Sequence, residues 1–117
     1  MSRVSFEILA KQNPKYRRAL HALEAWINAH PEDAVLNPLK LRRDIRNVDP
    51  AELAVALTIL VRAGLLRRVY KVLTPSGVLA DAEFDDPSAI PEKLPDRFER
   101  YFETSDADVV PIFRRTA

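Results

Sequence analysis

Apolar side chains recur at helical spacing through the first half of the chain. The longest such stretch predicts a helix over residues 14–29, because residues three and four apart share one face of a helix. Asn13 and Pro14 are typical of a helix start, and Pro31 ends the pattern. The predicted apolar face consists of Tyr16, Ala19, Leu20, Leu23, Trp26 and Ile27. A short leading helix is expected over residues 3–11.

Two further helix starts have the same signature, an Asn or Asp followed by proline. After Asn37, a short helix is predicted over residues 38–46, and after Asp49 a third helix over residues 50–63. Gly64 then occupies the position just past a helix end, where glycine is favoured. The inward side chains of the second helix are expected to be Leu39, Leu41 and Ile45, with the stem of Arg42 an alternative to Leu41. Those of the third helix are expected to be Leu53, Leu57, Leu60 and Val61.

After Gly64 the apolar period changes from the helical value to the alternation of a strand. Residues 65–73 are rich in strand-forming residues and predict one strand. Residues 74–77 (Thr-Pro-Ser-Gly) predict a turn, and residues 78–84 predict the returning strand. The order is therefore helix, helix, helix, strand, strand, which is an α+β fold.

The remaining segment, residues 85–117, is acidic and contains four of the nine prolines. Residues 95–103 predict a short helix with three aromatic side chains on one face, and residues 107–114 predict an extended segment. Pro111 would confine that segment to a sheet edge. The apolar content is too high for a free disordered extension. We therefore expect one part of helices and a hairpin over residues 1–84, which includes the leading helix, and an extension over residues 85–117 that docks on the core or on another subunit.

The helices and hairpin carry a resemblance to the winged helix-turn-helix superfamily over about residues 14–84. The segment 49–68 looks like the recognition helix and wing entry of bacterial winged-helix regulators. In those proteins the end of the helix has a recurring order of residues. A leucine is followed by any two residues and a small residue, and then by glycine, leucine, an aliphatic residue and a basic residue. The residues at these places are Leu60, Gly64, Leu65, Leu66 and Arg67. The resemblance implies three helices and a two-stranded β-hairpin wing; residues 85–117 resemble no particular family.

Composition excludes several classes of function. The chain has no cysteine and only two glycines, so neither a thiolate metal site nor a phosphate-cradling loop is expected. His21 and His30 are too far apart in sequence to share a helix face. No signal peptide or membrane span is evident, which favours a cytoplasmic protein. We therefore expect a protein that is not an enzyme and has no cofactor, no metal and no membrane partner.

The outward side chains of the third helix decide between two functions. Base reading in the major groove needs donors such as Arg, Lys, Asn or Gln, and this face offers mainly short or apolar side chains. An exposed apolar patch is typical of an interface. The leading hypothesis is a protein-interaction module, an adaptor or regulator that binds another chain or a second copy of itself. Its predicted partner-binding residues are Glu52, Val55, Thr58, Ile59 and Arg62.

The alternative is a DNA-binding transcriptional regulator. Residues 1–80 carry 13 Lys or Arg and 7 Asp or Glu, a net charge of +6, whereas residues 81–117 carry 5 and 10, a net charge of −5. The basic front could contact phosphates in a salt-dependent, sequence-independent way, or could remain ordinary surface or pair with the acidic tail. The candidate nucleic-acid-binding residues are Lys40, Arg42, Arg43, Arg46, Arg68 and Lys71.

Overall fold

The computed structural model describes residues 3–116. Within these residues the fold is α+β, and it divides into two compact units: residues 3–67 with 114–116, and residues 68–113. This division differs from the expected boundary between residues 84 and 85. Residues 1, 2 and 117, which belong to the predicted parts, lie outside the described residues. The helices are α1 (Glu7–Gln12), α2 (Arg17–Asn28), α3 (Pro38–Asp44) and α4 (Pro50–Arg62). The strands are β1 (Leu66–Val72), β2 (Lys93–Pro95), β3 (Tyr101–Glu103) and β4 (Val109–Arg115).

In the first unit, α2 packs against both α1 and α4. The predicted apolar face of α2 is confirmed, since all its members except the half-buried Tyr16 are buried. The first turn, Pro14–Tyr16, is a 3₁₀ turn, and the Asn13 side chain does not cap it. Instead the Asn13 side-chain amide donates to the Leu9 carbonyl at 2.9 Å. This bond satisfies a carbonyl group at the end of α1. The predicted leading helix is real but begins only at Glu7.

The two other predicted helix starts are confirmed. The Asn37 carboxamide oxygen accepts from the Leu39 amide at 3.0 Å, and the Asp49 carboxylate accepts from the Ala51 amide at 2.8 Å. In α3 the prediction that Leu39 is buried is wrong: Leu41 is fully buried, whereas Leu39 is 62% exposed. Residues two apart lie on opposite sides of a helix, so a helix of seven residues cannot bury both leucines against one neighbour.

The third predicted helix corresponds to α4, which buries Leu53, Leu57 and Leu60 as expected, together with Ala56. The predicted inward residue Val61 is only half-buried. Gly64 has a φ of 76°, and its amide donates to the Val61 carbonyl at 3.0 Å. The Leu65 amide donates to the Leu60 carbonyl at 3.0 Å. These two bonds form a Schellman motif, which confirms the predicted role of Gly64.

In the second unit, β1 is the expected strand, but the predicted returning strand over residues 78–84 is wrong. That segment forms two isolated bridges instead: Phe84 pairs with Tyr70 of β1, and Leu79 pairs with Leu73, the residue after β1. Its Ala, Asp and Glu residues are depleted in strands, which accounts for the irregular pairing. The turn itself is present, because the Gly77 amide donates to the Thr74 carbonyl at 2.9 Å.

The predicted helix over residues 95–103 is also wrong. β2 and β3 form an antiparallel hairpin in which Leu94 pairs with Phe102. The Asp96 carboxylate accepts from the amides of Phe98 (2.8 Å) and Arg100 (2.9 Å), and Glu99 has a φ of 61°. Asp side chains that bond nearby amides compete with helix formation, so the local chemistry of Asp96 favours the turn.

The predicted extended segment near the C-terminus corresponds to β4, which pairs with β1 in a two-stranded sheet. The Leu73 amide donates to the Asp108 carbonyl at 2.9 Å. Backbone groups alternate along a strand, so Pro111, three residues after Asp108, turns its missing donor away from β1. The prediction that Pro111 lies at a sheet edge is confirmed, and the tail docks on its own chain.

The two ends of the described chain both belong to the first unit. The Asn28 side chain bonds the amide and the carbonyl of Val4, each at 2.9 Å. The Thr116 hydroxyl donates to the Gly64 carbonyl at 2.7 Å, and the Thr116 amide donates to the Leu65 carbonyl at 3.3 Å. A small cleft of about 190 Å³ is lined by both ends of the described chain, from Arg3 and Val4 to Arg115 and Thr116.

Candidate functional site

A larger cleft of about 850 Å³ lies in the first unit beside α3 and the start of α4. Four cationic side chains line it, and all four are exposed. We call this site the cationic cleft. Its lining consists of Asn37, Leu39, Lys40, Arg42, Arg43, Ile45, Arg46, Val48, Pro50 and Leu53. The structure therefore brings together four of the six residues that the sequence predicted as nucleic-acid-binding.

Local bonds at each end fix α3, which supplies three of the four cations. At its start, Asn37 caps the helix. At its end, the Trp26 indole N–H donates to the Asp44 carboxylate at 2.9 Å, which ties the helix to α2. Leu41 anchors the buried side. The cations are thus carried by a short helix whose position is set before any ligand binds.

The fourth cation, Arg46, lies beyond the end of α3. Its Nε donates to the Arg43 carbonyl at 3.2 Å, so its side chain folds back over the last turn of the helix. Basic side chains are favoured there because the last carbonyls of a helix carry partial negative charge. This bond accounts for Arg46 sharing one cleft with Lys40 and Arg43.

The cationic cleft has no internal neutralising group. None of its lining residues is acidic, and none of the four cations forms a salt bridge with a carboxylate of residues 3–116. Asp44, the acidic residue of α3, is not among the lining residues and accepts the Trp26 indole N–H instead. Like charges on neighbouring helical positions repel one another, so an anion that enters the cleft relieves this repulsion.

The lining of the cationic cleft is also apolar. Leu39 is 62% exposed there, and Ile45, Val48 and Leu53 contribute side chains that are otherwise buried in the core. The sequence pattern assigned Leu39 to the core and so missed its place in the cleft. The signal that could have found it is the two-residue spacing from Leu41, which places Leu39 on the opposite side of α3.

The five predicted partner-binding residues lie together on α4, but they expose less apolar surface than expected. Val55 is 38% exposed, whereas Glu52, Thr58 and Ile59 are half-buried and Arg62 is exposed. The Thr58 hydroxyl donates to the Ala54 carbonyl at 3.2 Å. The expected exposure of Ile59 is therefore wrong, and Val55 is the main apolar group of this surface.

The other two predicted nucleic-acid-binding residues, Arg68 and Lys71, lie on β1 in the second unit and do not line the cationic cleft. Both are half-buried, and the Arg68 guanidinium lies 5.5 Å from the centre of the Phe113 ring. A guanidinium over an aromatic face is stabilised by the negative charge of the ring. Phe113 is distant in sequence, so no local pattern indicates this contact.

Two exposed aromatic residues on the β2–β3 hairpin were not predicted as surface features. Phe98 is 76% exposed and Tyr101 is 72% exposed. The helix predicted for residues 95–103 would have placed them on one buried face. In the hairpin Phe98 lies within the turn stabilised by Asp96, which holds the ring away from the core.

Among residues 3–116, no cluster of three or more His, Asp or Glu is placed to hold a metal ion. No helix in that range has the length and apolarity needed to cross a membrane. His30 stacks on Trp26, with ring centres 3.7 Å apart, and its Nδ1 lies 2.6 Å from the Trp26 carbonyl oxygen. His30 therefore packs at the C-terminal end of α2.

Comparison with protein-family models, with curated proteins and with solved structures finds no match to this chain. The binding surfaces are therefore interpreted from their own residues.

Proposed function

We propose that this chain is a non-catalytic protein-interaction module, an adaptor or regulatory component of a larger cytoplasmic assembly. It binds a partner protein through the outward surface of α4, which carries Glu52, Val55, Thr58, Ile59 and Arg62. The proposed core is a winged helix over residues 14–84, with α4 in the place of the recognition helix.

The element order supports the winged-helix interpretation. α2, α3 and α4 are followed by β1 and by the turn at residues 74–77, as in the winged helix-turn-helix plan. The wing departs from that plan in two respects. Its returning arm forms the isolated bridges Tyr70–Phe84 and Leu73–Leu79 rather than a strand. In addition, β4 pairs with β1.

The observation that carries the proposed function is the shortage of hydrogen-bond donors on α4. Its exposed side chains include Ala51, Ala54 and Val55, and the Thr58 hydroxyl bonds to the helix backbone. Base edges in the major groove are read by Arg, Lys, Asn and Gln side chains. Arg62, in the last turn of α4, is the one such side chain among the five residues of this surface. A surface centred on Val55 with so few donors suits a protein partner better than a base sequence.

One observation favours the second candidate, a DNA-binding regulator. The cationic cleft gathers Lys40, Arg42, Arg43 and Arg46, and none of its lining residues is acidic. Such a cluster can contact phosphates, and each contact would add affinity that falls as salt concentration rises. Phosphate contacts orient a protein on a duplex but do not select a sequence.

A mobility-shift assay with DNA duplexes at low and moderate salt separates the two candidates. For an interaction module we expect weak binding that does not depend on sequence and disappears as salt rises. Tight binding to one sequence that persists at moderate salt would contradict the proposed function and support the regulator.

The protein partner is tested by quantitative co-purification from the source cells. Val55→Asp places a charge on the outward surface of α4, and we expect it to fold normally and to lose its specific partner. Ile8→Asp is the matched control, because Ile8 is an apolar residue of another helix that is 73% exposed. Retention of the same proteins at the same level by Val55→Asp would contradict the role of α4.

A further inference from the structure

We propose that the cationic cleft binds an acidic segment of a partner protein that inserts an apolar side chain between the cations. This inference rests on the proposed function, since it states the chemistry of a partner for an interaction module. The cationic cleft is a second binding surface, in addition to the outward side of α4.

The first argument is the charge of the cleft. Four cations surround it, none of the lining residues is acidic, and none of the cations is paired with a carboxylate in residues 3–116. Carboxylates are therefore the protein groups that this surface attracts most strongly. Three of the four cations are arginines, whose planar guanidinium groups can bond a carboxylate through two parallel N–H groups.

The second argument is the apolar lining. Leu39 is largely exposed, and Ile45, Val48 and Leu53 lie beside it in the same cleft. A phosphate group is polar and charged and would leave Leu39 uncovered. A peptide with a leucine or phenylalanine among its acidic residues would cover it, and an apolar centre with a charged rim is the usual anatomy of a protein interface.

The third argument is the size and rigidity of the cleft. Its volume of about 850 Å³ lies within the range of about 300–1,000 Å³ found for sites that bind compact ligands. The space suits a few side chains of a segment rather than a globular surface. The Asn37 cap and the Trp26–Asp44 bond hold α3 in place before binding, which lowers the entropy cost of binding.

The test is a selection from a displayed library of random-sequence peptides against the full chain. We expect the selected peptides to be enriched in Asp and Glu around at least one large apolar residue. Synthetic copies of these peptides are then titrated against variants by fluorescence anisotropy. A copy in which Glu and Asp are replaced by Gln and Asn should bind about tenfold more weakly.

The variants are matched in charge and residue type. The triple change Lys40→Gln, Arg42→Gln, Arg43→Gln removes three exposed cations from the cleft, and Lys15→Gln, Arg17→Gln, Arg18→Gln removes three exposed cations from elsewhere in the same unit. We expect the first triple to lower peptide affinity by about tenfold or more and the second by less than about twofold. Leu39→Ser should weaken binding, whereas Ile8→Ser should not.

Several outcomes would overturn the proposal. These are no selected peptides, peptides that lack acidic residues, an equal loss of affinity in both triple variants, or displacement of the peptides by a random-sequence DNA duplex that binds more tightly. Self-association of the native chain that only the cleft triple abolishes, seen by analytical ultracentrifugation, would assign the cleft to a second copy. Thermal melts of all variants show whether each change leaves the fold intact.

The two proposals fail separately. If acidic peptides bind the cleft but Val55→Asp retains every cellular partner, the cleft proposal stands and the role of α4 falls. If Val55→Asp loses its partner but no acidic peptide is selected, the interaction module stands and the cleft proposal falls.

Discussion

The first unit buries the leucines of amphipathic helices, whereas the second unit is built from short strands joined by turns. α2 and α4 have 12 and 13 residues, and their buried faces include five fully or almost fully buried leucines: Leu20, Leu23, Leu53, Leu57 and Leu60. In residues 68–113, β2 and β3 have three residues each. The burial of leucines that recur at helical spacing therefore specifies the first unit.

Bonds from polar side chains to nearby backbone occur in both units, but in the first they cap α3 and α4 whereas in the second they hold turns. Asp86 and Asp96 accept from amides two residues ahead in the chain, and the Thr74 hydroxyl donates to the Val78 carbonyl at 2.7 Å. Thr74 is the buried polar residue of the described chain and is 3% exposed. Burial of apolar side chains and local polar bonds are therefore two contributions to the order of this chain. Substitutions of each kind can test the two contributions separately.

The largest expected effect is in the first unit. Leu57→Ala removes a side chain that is 2% exposed, and we expect a loss of about 2–5 kcal/mol in the free energy of unfolding, because a cavity remains in the core. Leu39→Ala is the matched control, since its leucine is 62% exposed, and it should change stability by less than about 0.5 kcal/mol. Urea unfolding followed by circular dichroism measures both. Similar losses in the two variants would show that the helix faces are assigned wrongly.

A smaller effect is expected at the two glycines, one in each unit. Gly64 and Gly77 have φ values of 76° and 87°, and a Cβ at either position would meet no atom within 4 Å. Gly64→Ala and Gly77→Ala should therefore each cost about 1–2 kcal/mol through backbone strain alone. Urea unfolding measures the free energy of unfolding of both variants. Equal losses would mean that the two units differ in side-chain burial and not in backbone strain. No loss in either variant would contradict the positive φ values assigned to the two glycines.

The smallest effect is expected at Asp86, in the second unit. The Ser88 backbone amide donates to its carboxylate and, with a further bond from the Ser88 side chain, holds the pKa of Asp86 below its ordinary value. A carboxyl group whose pKa is lower in the folded state stabilises the fold above its unfolded-state pKa. This contribution is lost as pH falls through the folded-state value.

Carboxyl-carbon NMR titration measures the pKa of Asp86 directly. The midpoint should lie below that of an ordinary aspartate and should rise toward it in Ser88→Pro, which removes the donating amide. An ordinary midpoint in the native chain would mean that the Asp86–Ser88 bond does not persist in solution.

The sequence predicts the first unit well because its signals are local. Asn37 and Asp49 cap the helices that they precede, and Gly64 ends α4 as predicted. The failures have equally local causes. Asn13 bonds backward to Leu9, which its place before a proline does not reveal. Leu39 and Leu41 are two residues apart, and a helix as short as α3 buries only one of them.

The second unit was less predictable because its pairing is non-local. The β1–β4 sheet joins residues such as Leu73 and Asp108, far apart in sequence, and no period in either segment specifies its partner. The aromatic spacing in residues 95–103 indicated a helix, but the bonds of Asp96 and the positive φ of Glu99 produce a hairpin. Pro111 was informative because a missing amide excludes a central position.

The candidate site was predictable in composition but not in extent. The four cations of the cleft are predictable from the sequence as a group, because all of them fall within the seven residues 40–46. The presence of Leu39 beside them, and the lack of an acidic side chain among the residues that line the cleft, depend on packing.

The shared cleft of Arg3, Val4, Arg115 and Thr116 has a consequence for how the module can be attached to other proteins. A polypeptide that enters at residue 3 leaves at residue 116 from the same small region. Domains with neighbouring ends tolerate insertion into a host loop, so insertion of residues 3–116 into a surface loop of a carrier protein should leave the fold of the carrier intact. The same geometry suits circular permutation, in which a short linker joins the two ends and new termini are opened elsewhere in the chain.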